Sequence, residues 1–227
     1  MNRSLLVCLI VAAISAAQVY AQTPPLRKGI SVQMPVTRNA SSVSQADNFD
    51  AWIVTVAADG KLYFGTDPMT LEELADWMKT HPRNRKAALY IKADARAPFG
   101  SVEKVLGIGR ALEFNTPVLL TAQPEHNTPG TIVPPKGMGV SLGSAPSGAI
   151  ATVLQLLPSG QEPPLMINND QTCWSALEGT LRQHFQNGDE KLVLLRADAG
   201  LPFAEVVRAI DSCRAAGAKV YLPEAGL

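Results

Sequence analysis

The chain predicts an α+β protein of two tandem two-layer domains, each a mixed β-sheet with two helices on one face. Three observations lead there. The stretch Lys92, Ala93, Asp94, Ala95, Arg96, Ala97, Pro98, Phe99 returns as Arg196, Ala197, Asp198, Ala199, Gly200, Leu201, Pro202, Phe203, which marks an internal duplication. Upstream the echo continues: Asp67, Leu71, Leu74 and His81 have counterparts in Asp170, Trp174, Leu177 and His184. In both copies, short apolar strand patterns alternate with amphipathic helical ones, the pattern of a sheet with helices laid against it.

The 227 residues then divide into four parts: 1–21 as an export signal or anchor, 28–122 as domain 1, 123–137 as a Pro-rich linker, and 138–227 as domain 2. Arg3 supplies a basic start, residues 5–17 a nearly unbroken apolar run, and Val19, Tyr20, Ala21 a small-x-small site before Gln22. This pattern reads as a secretory signal peptide. The run falls short of the ~20 residues that span a bilayer comfortably. The alternative is a single N-terminal anchor that holds the domains on the periplasmic side of the inner membrane.

In domain 1, apolar Ile30, Val32 and Met34 alternate with polar residues up to Pro35, the period of a strand with one buried face. Residues 52–56 and 62–64 flank Asp59 and Gly60, a strong hairpin signal. Thr70 and Glu73 form a capping-box pattern that opens a helix carrying Leu71, Leu74, Trp77 and Met78, and Pro82 stops it. A strand over 87–92, a turn over 94–98, a helix over 99–114 started by Pro98, and a strand over 117–121 close the unit. Domain 2 repeats the order. Residues 140–142 are extended, strands follow over 149–157 and 164–167, then a helix over 172–185, a strand over 191–196, a helix over 202–216 and a strand over 218–222. Its hairpin lacks Asp-Gly and carries Pro163 and Pro164, which predicts a more irregular turn.

Lys+Arg and Asp+Glu each number 20, so the chain lacks the positive footprint that nucleic acid or an anionic membrane surface requires. Asp94 and Asp198 recur at the strand-to-helix turns, where a carboxylate accepts turn N–H bonds. They are read as structural turn residues, as are Asp67 and Asp170. His81 and His184 recur at equivalent helix ends, placed to satisfy terminal carbonyls. With His126 the only other histidine, there is no convergent donor set for a metal. No serine sits in a nucleophile elbow, and Gly107 and Gly109 lie mid-helix rather than in a phosphate loop. The expectation is no catalytic residue, no metal and no cofactor. Trp52, Tyr63, Phe64 and Trp77 read as core and hairpin packing, with a sheet edge for an extended peptide as the other use.

Cys173 and Cys213 lie in the second copy only. Their helical phases point both inward, and an oxidising compartment would then favour a disulfide tying the two helices of that domain. In the chain-entropy model such a bridge is worth about 4 kcal/mol. The other reading is two separate buried thiols.

Taken in order, Val32, Gln33, Met34, Pro35, then Asp59 and Gly60, then Thr70, Glu72, Glu73, Leu74, then Lys92, Ala93, Asp94, and then Pro98, Phe99 resemble the ExbD/TolR family of biopolymer-transport proteins. The resemblance covers nearly all of the first copy and is carried in the second by Arg196, Ala197, Asp198, Pro202 and Phe203. It implies an anchored periplasmic α+β domain that dimerises and serves a proton-driven motor with a membrane partner of the ExbB/TolQ type. It also implies contact with TonB-like proteins or peptidoglycan. Proton-conducting members carry an aspartate within the membrane helix, whereas residues 5–20 here contain no acid. Without such a carboxylate there is no group to take up and release the proton. The expectation is therefore an exported, non-catalytic accessory or scaffold of transport driven by proton-motive force. The alternative is a soluble periplasmic module that binds peptidoglycan or a peptide.

Overall fold

The computed structural model describes residues 29–48, 50–81, 87–114, 116–122, 135–158, 162–186 and 191–223. The export-signal reading of residues 1–21 and most of the expected linker lie outside these. In the first copy the elements run β1 (Ser41–Ser42), a short 3-10 turn (Ser44–Asp47), β2 (Trp52–Val56), β3 (Leu62–Phe64), β4 (Asp67–Met69), α1 (Leu71–Thr80), β5 (Leu89–Ala93), α2 (Phe99–Ala111) and β6 (Val118–Thr121). The second runs β7 (Lys136–Gly139), β8 (Ser141–Leu142), β9 (Thr152–Leu156), β10 (Leu165–Ile167), β11 (Asp170–Thr172), α3 (Leu177–Gln186), β12 (Leu192–Ala197), α4 (Phe203–Ala215) and β13 (Lys219–Leu222).

Two mixed sheets result, in the orders β1-β7-β6-β5-β2-β3-β4 and β11-β10-β9-β12-β13-β8. In each, the central strands are parallel and the hairpins antiparallel. Trp52 is opposite Leu89 in the parallel pair β2–β5, and Val54 is opposite Phe64 in the antiparallel pair β2–β3. The Asp-Gly turn closes the first hairpin through Gly60 N–H to Ala57 O at 2.9 Å, with Gly60 at φ +83°. The capping box is present in full: Thr70 Oγ1 accepts from Glu73 N at 3.2 Å, and Glu73 Oε2 accepts from Thr70 N at 2.8 Å.

The backbone departs from the sequence reading in several elements. Lys136 and Gly137, expected in the linker, belong to β7, which pairs antiparallel with β6 of the first sheet. Residues 30–35 are extended without being a regular strand, joined to the sheet through a single parallel bridge at Val36 and Ala122. Asp67 and Asp170 are not in turns; they open the edge strands β4 and β11 after tight turns at Gly65 and at Asn168 and Asn169, all three with positive φ. Helix α3 starts at Leu177 rather than near 172, because Thr172 still pairs with Leu165. Helix α2 ends at Ala111, before Phe114, whose N–H bonds to Gly109 O at 2.8 Å.

One apolar core runs through both copies, from Leu74, Ile91 and Val102 to Leu154, Leu181 and Phe203. The far faces of the two sheets diverge. Strands β2 and β5 are buried at every residue, because Met34, Val43 and Ala46 cover Ile53, Tyr90 and Leu120 on the far side. Strand β9 alternates buried with half-buried residues, the pattern of a sheet with one packed face. Residues 34–51 supply the cover in the first copy, and the second has a shorter stretch, 143–151, in that position.

Candidate turn junction and groove

The repeated octapeptide does the same job twice, against itself. Phe99 N–H donates to Leu201 O and Phe203 N–H to Ala97 O, each at 2.8 Å. Gly100 N–H donates to Ala199 O at 2.8 Å and Ala204 N–H to Ala95 O at 2.9 Å. Pro98 and Pro202 face each other as an isolated antiparallel bridge. Adding 104 to the first-copy residue of a bond and subtracting 104 from its second-copy partner gives the mate bond, so the two turns meet across a local pseudo-twofold axis. Phe99 and Phe203, 3% and 0% exposed, anchor the two helix starts in the shared core. The close approach requires glycine at residue 100, where a Cβ would stand 2.9 Å from that of Ala199.

Local chemistry shapes each turn. Asp94 is buried and its Oδ1 accepts from Arg96 N at 3.0 Å and Arg96 Nε at 2.9 Å. Its Oδ2 accepts from Arg96 Nη2 and from Gln33 N, both at 3.1 Å. The Arg96 guanidinium holds the Asp94 carboxyl well below its ordinary 3.8, at about 2, with the two backbone donors helping against the cost of burial. Asp198 is exposed and accepts from Gly200 N at 2.9 Å. Gly200 occupies the position of Arg96, so the second turn has no guanidinium clamp.

Around the first turn the leading segment is tied down along its length. Lys92 Nζ donates to Ile30 O at 2.7 Å, Ala95 N–H to Gln33 O at 2.7 Å, and Ala122 N–H to Pro35 O at 2.8 Å. The segment then crosses to the second copy, where the Asp211 carboxylate accepts from Arg38 N at 3.0 Å and Asn39 N at 2.8 Å. Arg214 Nε donates to Asn39 O at 3.2 Å.

A groove of about 750 Å³ lies between helix α2 and strands β12 and β13. Phe99, Glu103, Gly107 and Arg110 line one wall, with Arg196 and Ala199 opposite. Burial pushes the Glu103 carboxyl up, opposed by the charge of Arg110. Arg110 Nη2 donates to Leu222 O at 3.2 Å, which braces the far end.

The remaining residues singled out from sequence fall elsewhere. His81 Nδ1 lies 2.8 Å from Trp77 O, at the end of α1, and the ring stacks on Trp77 at 3.9 Å. Trp52, Phe64 and Trp77 form one aromatic cluster with Phe114. The expected disulfide is absent: Cys173 and Cys213 are free thiols. Because α3 starts late, Cys173 precedes the helix and faces solvent, with its sulfur 3.2 Å from Ser175 Oγ. Cys213 does point inward, and burial pushes its thiol up to about 12. Among the described residues there is no cluster of potential metal ligands and no helix long and apolar enough to cross a membrane.

Asp211, Arg214 and Gly100 did not emerge from sequence reasoning. The offset of 104 pairs Arg214 with Arg110, a recurrence available in the sequence. Asp211 pairs with Gly107, so repetition gives no hint of it.

A family model described as "ExbD: Biopolymer transport protein ExbD/TolR" matches residues 4–125 and again residues 128–223. No curated protein and no solved structure matches the chain.

Proposed function

The chain belongs to the ExbD/TolR family of biopolymer transport proteins, and from that premise we propose that it is an exported, non-catalytic scaffold of transport driven by proton-motive force, with both of its family domains in one polypeptide. The family is envelope-associated and non-enzymatic, and works with ExbB/TolQ-type and TonB/TolA-type partners. The observation that carries the reading is the use of the repeated turn. Residues recurring in both copies invite a catalytic interpretation, yet Pro98, Phe99, Pro202 and Phe203 are spent on joining the copies. Asp94 is spent on its own turn and the leading segment. A rigid pair of domains is suited to transmitting or positioning, and its partners supply any proton chemistry, since residues 5–20 carry no acid.

The test is co-purification of the tagged full-length chain from detergent-solubilised envelopes, together with the intact mass of the mature protein. Recovery with an ExbB/TolQ-like polytopic protein supports the scaffold role. The acid-free N-terminal run favours a second reading, a soluble periplasmic module that binds peptidoglycan or a peptide. A mature mass starting at Gln22, with capture on isolated cell wall and no membrane partner, would establish that reading and overturn the first.

A further inference from the structure

We propose that residues 29–39 are a releasable strap, which lifts off both domains as one unit while the domains and the joint between their turns stay folded. None of these residues belongs to the apolar core that runs through both copies. Met34 alone among them reaches an apolar cluster, the small separate one of Ile53, Tyr90 and Leu120. Attachment is instead by main-chain hydrogen bonds at three stations. Asp94 and Ala95 on the first turn hold Gln33, Ala122 just beyond β6 holds Pro35 and Thr37, and Asp211 on α4 holds Arg38 and Asn39. Such bonds exchange for bonds to water at small net cost, so a segment held mainly by them can come away without opening the core.

The surface beneath the strap is polar. Thr55 and Lys92 are buried there, with Lys92 Nζ donating to Ile30 O. Thr55 Oγ1 has no hydrogen-bond partner among the described residues, and a Cβ at Gly29 would stand 2.8 Å from it. Covering an unpartnered hydroxyl costs its hydration, which lifting the strap restores. The second copy presents the same surface without a cover. Gln155 and Arg196 pair in register as Thr55 and Lys92 do, yet Gln155 is half-buried and Arg196 and Asp198 are exposed. Behind them Leu154, Leu156 and Leu195 are buried like Val54, Val56 and Ile91. The core of this fold is therefore closed with or without a strap.

The strap starts on the first sheet and ends on the second copy, where Arg214 Nε donates to Asn39 O. Beyond it, Ser41 and Ser42 pair with β7 and mark where lifting stops. Release therefore frees the first turn and the side of α4 in one event. It also uncovers Thr55, Lys92 and the Met34 side of the Ile53 and Tyr90 cluster, which gives the first domain a covered and an uncovered state. Neither state needs a motor partner, and the test uses none.

The test is native-state amide exchange of the full chain, followed by NMR at several urea concentrations below unfolding. The reporters are the N–H groups of Gln33, Thr37, Arg38 and Asn39, with those of Ala95 and Ala122, which the strap's carbonyls hold. All six are expected to exchange through one common opening, on the order of a hundredfold faster than Val54 and Ile91 and with a shallower urea dependence. Asp211→Asn removes a charged acceptor in the second copy and is expected to speed all six by one factor, roughly tenfold. A thiol reads the same event: in a Cys173→Ser background, Thr55→Cys is expected to react with maleimide well ahead of buried Cys213. Exchange of Ala95 and Ala122 only together with Val54 and Ile91 overturns the proposal. So does an Asp211→Asn effect confined to Arg38 and Asn39, or labelling of Thr55→Cys no faster than that of Cys213.

Discussion

Replacing Asp94 by Asn is the sharpest test of how the first turn is held. Both Asp94 oxygens are engaged by donors, Oδ1 by Arg96 N and Nε and Oδ2 by Arg96 Nη2 and Gln33 N. Asn keeps one acceptor and turns a donating NH2 toward the other donors, so at least one buried pair becomes donor against donor. The difference between an ordinary 3.8 and about 2, at ~1.36 kcal/mol per pH unit, amounts to roughly 2 kcal/mol. Arg96 is 69% exposed, and solvent screening of its charge reduces the expected loss to about 1–2 kcal/mol. The sign is set by a lowered folded-state value: the contribution is present above pH ~4 and is lost as pH falls from there through ~2. Urea unfolding followed by tryptophan fluorescence, at several pH values, should show Asp94→Asn less stable at neutral pH, with the gap to wild type closing below pH 4. The mate Asp198→Asn is the internal control. Exposed and accepting one bond that an amide oxygen also accepts, it should change stability by less than about 0.5 kcal/mol. Equal losses at the two positions, or a gap at Asp94 that does not close in acid, would refute the account.

Two glycines of helix α2 should respond in opposite directions. Gly100→Val forces apart the turn junction, where a Cβ stands 2.9 Å from Ala199 Cβ, and should cost about 1–3 kcal/mol. Gly107→Ala meets nothing and should gain about 0.5–1 kcal/mol from helix propensity; thermal melts of both variants decide. Native maleimide labelling should modify exposed Cys173, whose thiol is lowered by its hydrogen bond with Ser175, and spare buried Cys213 until denaturant is added. Rapid modification of both thiols in the folded protein would contradict the packing of α4.

What was readable in the sequence was local or repeated. The duplication, the capping box at Thr70, the Asp-Gly turn and the Pro98 and Pro202 helix starts each follow from residues a few positions apart, where backbone chemistry leaves few alternatives. Ordering these elements was enough to give the α+β class and the family resemblance. Tertiary structure decided the rest, because partners distant in sequence carry no periodic signal. Lys136 and Gly137 were expected in the linker and join a strand because they pair with β6 of the first sheet. The inward phase expected of Cys173 failed when the edge strand β11 delayed the start of its helix. Above all, the repeated octapeptide showed that two turns exist but not that they pair with each other. That pairing joins backbone N–H and C=O groups far apart in sequence, and the side-chain pattern carries no record of which of them will meet.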